Sequence, residues 1–122
     1  MQDLEIIDIH AHIFPEKIRE KAVDAIGDFY AIPMQRKGSV QDLLRYKKAG
    51  IRYFVVHSVA TTPKQVLHIN DFIYEQMQEH PELIGFATLH PEMEGLEEEI
   101  ERVIRMGFSG IKLHPDFQQF DI

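Results

Sequence analysis

Four runs of β-branched and other apolar residues punctuate the chain, and each contains or ends at a histidine: residues 4–14 (LEIIDIHAHIF), 51–60 (IRYFVVHSVA), 83–90 (LIGFATLH) and 110–114 (GIKLH). Apolar side chains occupy both parities of these runs, the pattern of strands covered on both faces rather than washed on one. The first run is therefore expected to be a buried parallel strand, and the other three its neighbours in one sheet.

The segments between the runs carry helical spacing. Pro15 suits a first helical turn, and Ile18, Ala22, Ala25, Ile26 and Phe29 follow at intervals of three and four, before a loop at 31–38 that contains Pro33. Ser39, three residues before Asp42, reads as a helix cap ahead of Leu43, Leu44 and Tyr46, and Gly50 as the stop. Thr62-Pro63-Lys64-Gln65 has the form of a capping box, and Val66, Ile69, Phe72, Ile73 and Met77 supply the apolar face of the helix behind it. Leu96, Ile100, Val103 and Ile104 mark a further helix, with Glu97, Glu98, Glu99 and Glu101 near its positive end and Gly107 as its stop. Pro115 blocks simple extension of the fourth strand.

Strand and helix thus alternate, which predicts an α/β fold of about four parallel strands joined by right-handed helical crossovers. Residues 1–122 form one domain on this reading. An eight-unit barrel takes about 250 residues, so 122 residues and four strands correspond to the first half of a (β/α)8 barrel. The last strand then needs something to cover its edge.

Composition narrows the chemistry. Twenty acidic residues against 13 basic give a net charge of −7, which disfavours nucleic acid as a partner. With no cysteine, thiolate zinc sites and a cysteine nucleophile are excluded, and histidine and carboxylate must do any metal binding. No apolar run reaches the about 20 residues of a membrane span, and the N-terminus lacks the basic start and apolar core of a signal peptide. A cytoplasmic protein without membrane contact is the expectation.

Asp8, His10 and His12 alternate along the first run, so one side of the strand carries all three. Two imidazoles at i and i+2 can share one cation of the zinc type, with Asp8 orienting or supplementing them. Hydrogen bonding to nearby loops is the plainer role for such a pair. Five of the seven histidines, His10, His12, His57, His90 and His114, fall at or near the C-terminal ends of the four strands, the edge where parallel α/β proteins assemble their sites. His57 and His90 are equally readable as loop-facing polar residues, and His68 and His80 carry no assigned chemistry. Lys112 shares parity with His114 and is a candidate for binding a substrate carboxylate, for carboxylation between two metals, or for an ordinary salt bridge. Phosphate-binding Gly-rich loops, a Gly-x-Ser-x-Gly elbow and basic aromatic stripes are lacking.

Ile7-Asp8-Ile9-His10-Ala11-His12 with Ile13-Phe14-Pro15, together with Gly110-Ile111-Lys112-Leu113-His114-Pro115 leading into Asp116-Phe117-Gln118-Gln119-Phe120, resembles the amidohydrolase-related branch of the amidohydrolase superfamily. That branch holds TIM-barrel metal-dependent hydrolases and nonoxidative decarboxylases related to aminocarboxymuconate semialdehyde decarboxylase. The resemblance spans the whole of residues 1–122 and the first half of such a barrel. It implies His10 and His12 as ligands of a divalent metal, zinc above all, and Lys112 and His114 as residues bordering a small-molecule substrate cavity; His57 and His90, by their place at the same edge, are further pocket candidates. It also implies further ligands from histidines on the fifth and sixth strands and an aspartate on the eighth, positions with no counterpart here.

The expected function is hydrolysis of a C–N or C–O bond in a small molecule, with the site incomplete on this chain alone. Decarboxylation by a relative of the same superfamily, or a noncatalytic half-barrel serving as a binding module, are the alternatives. Two first-strand ligands predict weak metal binding by a single chain, because catalytic zinc usually takes about three protein ligands. Inward-facing residues patterned to meet four further strands predict a homo-oligomer or a missing C-terminal half.

Overall fold

The computed structural model describes residues 4–16, Lys21, Asp24 and 38–122. The expected helix through Ile18, Ala22, Ala25, Ile26 and Phe29, and most of the loop after it, lie outside the described residues. The described strands are β1 (Ile6–His12), β2 (Ile51–His57), β3 (Leu83–Thr88) and β4 (Gly110–Lys112). They form one sheet in the order β1-β2-β3-β4, and every neighbouring pair is parallel. The helices are α1 (Val40–Leu44), continued by a 3-10 segment Arg45–Ala49, then α2 (Val66–Glu79), α3 (Leu96–Arg105) and a short α4 (Pro115–Gln118). The result is a curled half-barrel with helical crossovers, as the first half of a (β/α)8 barrel requires.

Local chemistry explains where the elements begin and stop. Ser39 accepts the Asp42 main-chain N–H at 3.1 Å and starts α1. Gly50 ends the 3-10 segment with φ of 93°, a left-handed conformation that suits glycine. Gln65 Oε1 accepts from the main-chain N–H groups of Thr61 and Thr62 at 2.8 and 3.4 Å, tying down the entry to α2.

The core lies between the sheet and its helices. Phe54 and Val56 of β2, Ile69 and Ile73 of α2, Val66, Ile13 and Ala60 are fully buried, with Ala11, Val40 and Leu83 packed among them. Phe54 and Val56 share parity, so β2 turns one row toward the helices and leaves Tyr53, Val55 and His57 on its other face. Gly85 of β3 faces side chains of both α2 and the segment after α3. A Cβ built there would collide with Met77 Sδ and stand 3.1 Å from both Ile73 Cγ2 and Phe108 Cδ1.

A buried polar cluster locks the other side of β3. Asn70 Oδ1 accepts the Thr88 N–H at 2.8 Å, and its amide donates to Thr88 O at 2.9 Å and to Glu99 Oε1 at 3.0 Å. Glu99 in turn accepts twice from Arg102, which also reaches Asp71. One neutral amide in α2, a carboxylate in α3 and its arginine therefore satisfy one another with little help from solvent.

Two expectations need correction. β1 is not buried on both faces: Ile6 and Ile7 are about half exposed and Ile9 is 77% exposed. Strand composition reports affinity for a covered position, whereas β1 has β2 as its one partner strand among the described residues. The fourth strand ends at Lys112 rather than His114, because His114 caps α4 and Pro115 occupies the first helical position.

Candidate metal centre

The last residues of β1 and β2 are both histidines, and the ladder pairs them directly, His12 opposite His57. Side chains of paired residues on adjacent parallel strands stand on the same face, about 4.8 Å apart. His10 joins them from two positions back. Among the described residues these three form a group whose ligating nitrogens all lie within 4.8 Å of one another. His10 Nε2 and His12 Nε2 are 3.1 Å apart, and the ring centroids of His57 lie 4.5 Å from His10 and 4.4 Å from His12 in edge-on contacts.

Burial and mutual repulsion keep the rings of His12 and His57 uncharged. Desolvation, followed by the neighbouring His10, Lys112 and His114, lowers the His12 pKa to about 4. Desolvation, followed by His12, His10 and Lys112, lowers that of His57 to about 3. Both rings hold a free lone pair at neutral pH, the state in which imidazole binds a metal.

The remaining candidates divide into two groups. Lys112 and His114 stand close enough to act electrostatically on His12, and Lys112 also on His57, so they belong to the same edge. His114 Nδ1 accepts the Phe117 N–H at 3.2 Å and its ring stacks on Phe117, so that nitrogen is occupied in capping α4. His90, by contrast, faces a neighbouring cavity of about 400 Å³ shared with Thr61, Thr62, Phe117 and Gln118. It is buried, and its Nδ1 accepts the Glu92 N–H at 3.1 Å.

Asp8 stands apart from the imidazole row. A register irregularity between Asp8 and Ala11 interrupts the strict alternation of β1, leaving Asp8 paired with Phe54. Its Oδ1 accepts the His10 main-chain N–H at 3.0 Å, so it steadies the backbone that carries the ring.

Gln118 was not singled out from sequence, although it ties this edge together. Its Oε1 accepts the His114 N–H at 3.0 Å, while Nε2 donates to Ala60 O at 2.9 Å and Leu89 O at 2.6 Å. Its place four residues after His114 is visible in the sequence, but its acceptors lie 29 and 58 residues upstream.

The donor set fits a divalent transition metal. Neutral imidazoles suit zinc and its neighbours, and the Nδ1 atom of His57 is buried without a hydrogen-bond partner. Leaving such a nitrogen unpaired costs about 1–3 kcal/mol. His10 and His12 are the residues that would hold the ion, with His57 beside them.

A parallel half-barrel whose histidines converge at the C-terminal edge places the chain among barrel proteins with a first-strand imidazole site. A family model described as amidohydrolase matches residues 7–122, and the chain belongs to that family. Members generally use a divalent metal. The structure is similar to the crystal structure of 2,6-dihydroxybenzoate decarboxylase complexed with 2,6-dihydroxybenzoate, with a TM-score of 0.52 and 21% identity over 91% of this chain. The match covers 38% of that longer chain, and at this identity the likeness concerns the fold. No curated protein matches the chain. No helix among the described residues is long and apolar enough to cross a membrane.

Proposed function

We propose that the chain supplies the first-strand ligands and part of the substrate cavity of a metal-dependent hydrolase that cleaves a C–N or C–O bond in a small molecule. The convergence of His10 and His12, with their Nε2 atoms 3.1 Å apart at the sheet's C-terminal edge, carries this reading. Zinc is the ion the donors favour, and when bound it supplies Lewis acidity and an activated water. The chain's own part is to hold the imidazoles of His12 and His57 neutral by burial, to steady His10 through Asp8, and to place Lys112 beside the site. A positive group there favours substrates bearing a carboxylate. His114 and His90 line the approaches.

Completion of the cavity belongs to the same proposal. Exposed Ile7, Ile9 and Ile111 on the outer strands, with Leu113 just after β4, support a second copy of the chain or a C-terminal half as the covering partner. Action in the cytoplasm accords with the absence of cysteine.

Nonoxidative decarboxylation is the second reading, favoured by the structural likeness to 2,6-dihydroxybenzoate decarboxylase. Both reactions need the same metal grip. Metal analysis of the purified chain, alongside a His10→Ala/His12→Ala double variant, tests it. Stoichiometric zinc in the parent that disappears in the variant supports the reading. Failure of the parent to take up any divalent ion between pH 6 and 8 would leave a noncatalytic binding module. With the cavity completed, carbon dioxide release from aromatic carboxylates, against hydrolysis of small amides and esters, separates the two reactions.

A further inference from the structure

We propose that His57 is a third protein ligand, so that β1 and β2 together make a three-imidazole metal site without help from any later strand. This rests on the reading that His10 and His12 bind the ion, and extends it to a residue on a different strand. The register carries the inference, because His57 is the cross-strand partner of His12 and its ring meets both His10 and His12 edge-on.

Geometry sets how far the rings must move. Two nitrogens bound tetrahedrally at 2.0–2.1 Å lie about 3.3 Å apart. His10 and His12 already stand at 3.1 Å, and no ligand pair in the trio is separated by more than 4.8 Å. The widest pair therefore has to close by at most about 1.5 Å, which a ring rotation supplies without moving the backbone.

Burial gives a second, independent indication. His57 is 3% exposed, and its Nδ1 has no hydrogen-bond partner. Buried polar atoms in folded proteins are nearly always satisfied, and a shared cation satisfies a ring that no neighbouring side chain does. The rival arrangement is a hydrogen bond between His10 and His12 with His57 as packing. Three imidazoles leave a tetrahedral ion one open position, the arrangement of a catalytic rather than a structural zinc. Tight binding by this chain alone then replaces the weak binding that two ligands predict.

The test loads the 122-residue chain with Co(II) and with Zn(II) and compares it with His57→Ala, His10→Ala and, as a control on the exposed side of α2, His68→Ala. Loss of an outer-shell partner already weakens metal affinity 10–100-fold, so His57→Ala should weaken it by more than about 100-fold and change the visible Co(II) bands, while His68→Ala leaves both unaltered. Should His57→Ala fold poorly, X-ray absorption on the zinc-loaded parent counts the imidazoles directly, three being the expected number. A count of two, or a His57→Ala chain that binds as the parent does while His10→Ala does not, overturns the assignment of His57 and leaves the proposed function standing. A parent that binds neither metal overturns both.

Discussion

The two flanks of β2 are built differently. Toward β3, apolar residues are sealed beneath α2, and the polar groups of Asn70, Thr88, Glu99 and Arg102 answer one another. Toward β1, apolar side chains lie open, Ile9 at 77% exposure against 0% for Phe54. Both flanks are parallel pairings in one sheet, so pairing alone does not bury a strand. What the contrast teaches is that burial is concentrated in β2, β3 and the helices behind them, whereas β1 keeps large apolar side chains uncovered by the described residues.

The sharpest way to break this comparison is to damage the sealed flank. Asn70→Ala leaves the Thr88 N–H and carbonyl and the Glu99 carboxylate short of partners, and should cost about 3–5 kcal/mol in urea denaturation. A loss below about 1 kcal/mol would show that stability is not concentrated there. Gly85→Ala puts a methyl against Met77, Ile73 and Phe108 and should cost about 1–3 kcal/mol, since Met77 can swing away but Ile73 is fully buried in the core.

At the seam between the flanks, acid is the probe. His12 and His57 titrate near 4 and 3 in the folded chain against 6.5 when unfolded, so the unfolded state takes up protons first as pH falls. Stability measured with a chelator present should be level above about pH 7 and decline below about 6.5 until the folded rings titrate. About 1–2 kcal/mol should be gone by pH 5.5, after discounting for the partial exposure of His12. Greater stability at pH 5.5 than at pH 7.5 would contradict the burial of these rings.

On the open flank, Ile9→Thr should change stability by no more than about 0.5 kcal/mol in the same denaturation experiment. A large loss of stability would mean that β1 is better covered than its exposure indicates. The smallest effect belongs to the Glu5–Arg52 ion pair, exposed at both ends, where Arg52→Ala should alter the denaturation midpoint by little that can be measured.

Much of this architecture was legible from residue pattern, and the parts that were not share a cause. Ser39, Gly50, Thr62 to Gln65 and Gly107 act over a few residues, so their capping and stopping roles follow from local chemistry, as did the alternation of strands and helices. Ile9 looked like core because hydrophobicity does not reveal which strand lies outermost. On α3, Val103 is buried while Leu96 and Ile104 are exposed, since helical spacing gives a stripe but not its width. His10 and His12 were readable because they share one strand. His57 was visible at a strand end, but its meeting with them depends on a register set 45 residues away in sequence. Lys112 was placed beside the same edge by parity, although none of its competing roles could be chosen that way.

The carboxamide of Gln118 has a mechanical consequence. The exits of β2, β3 and β4 are tethered to that one group, through Ala60, Leu89 and His114. Three loops that might otherwise drift separately are obliged to travel in concert, so a molecule displacing any of them from above the sheet shifts the whole rim.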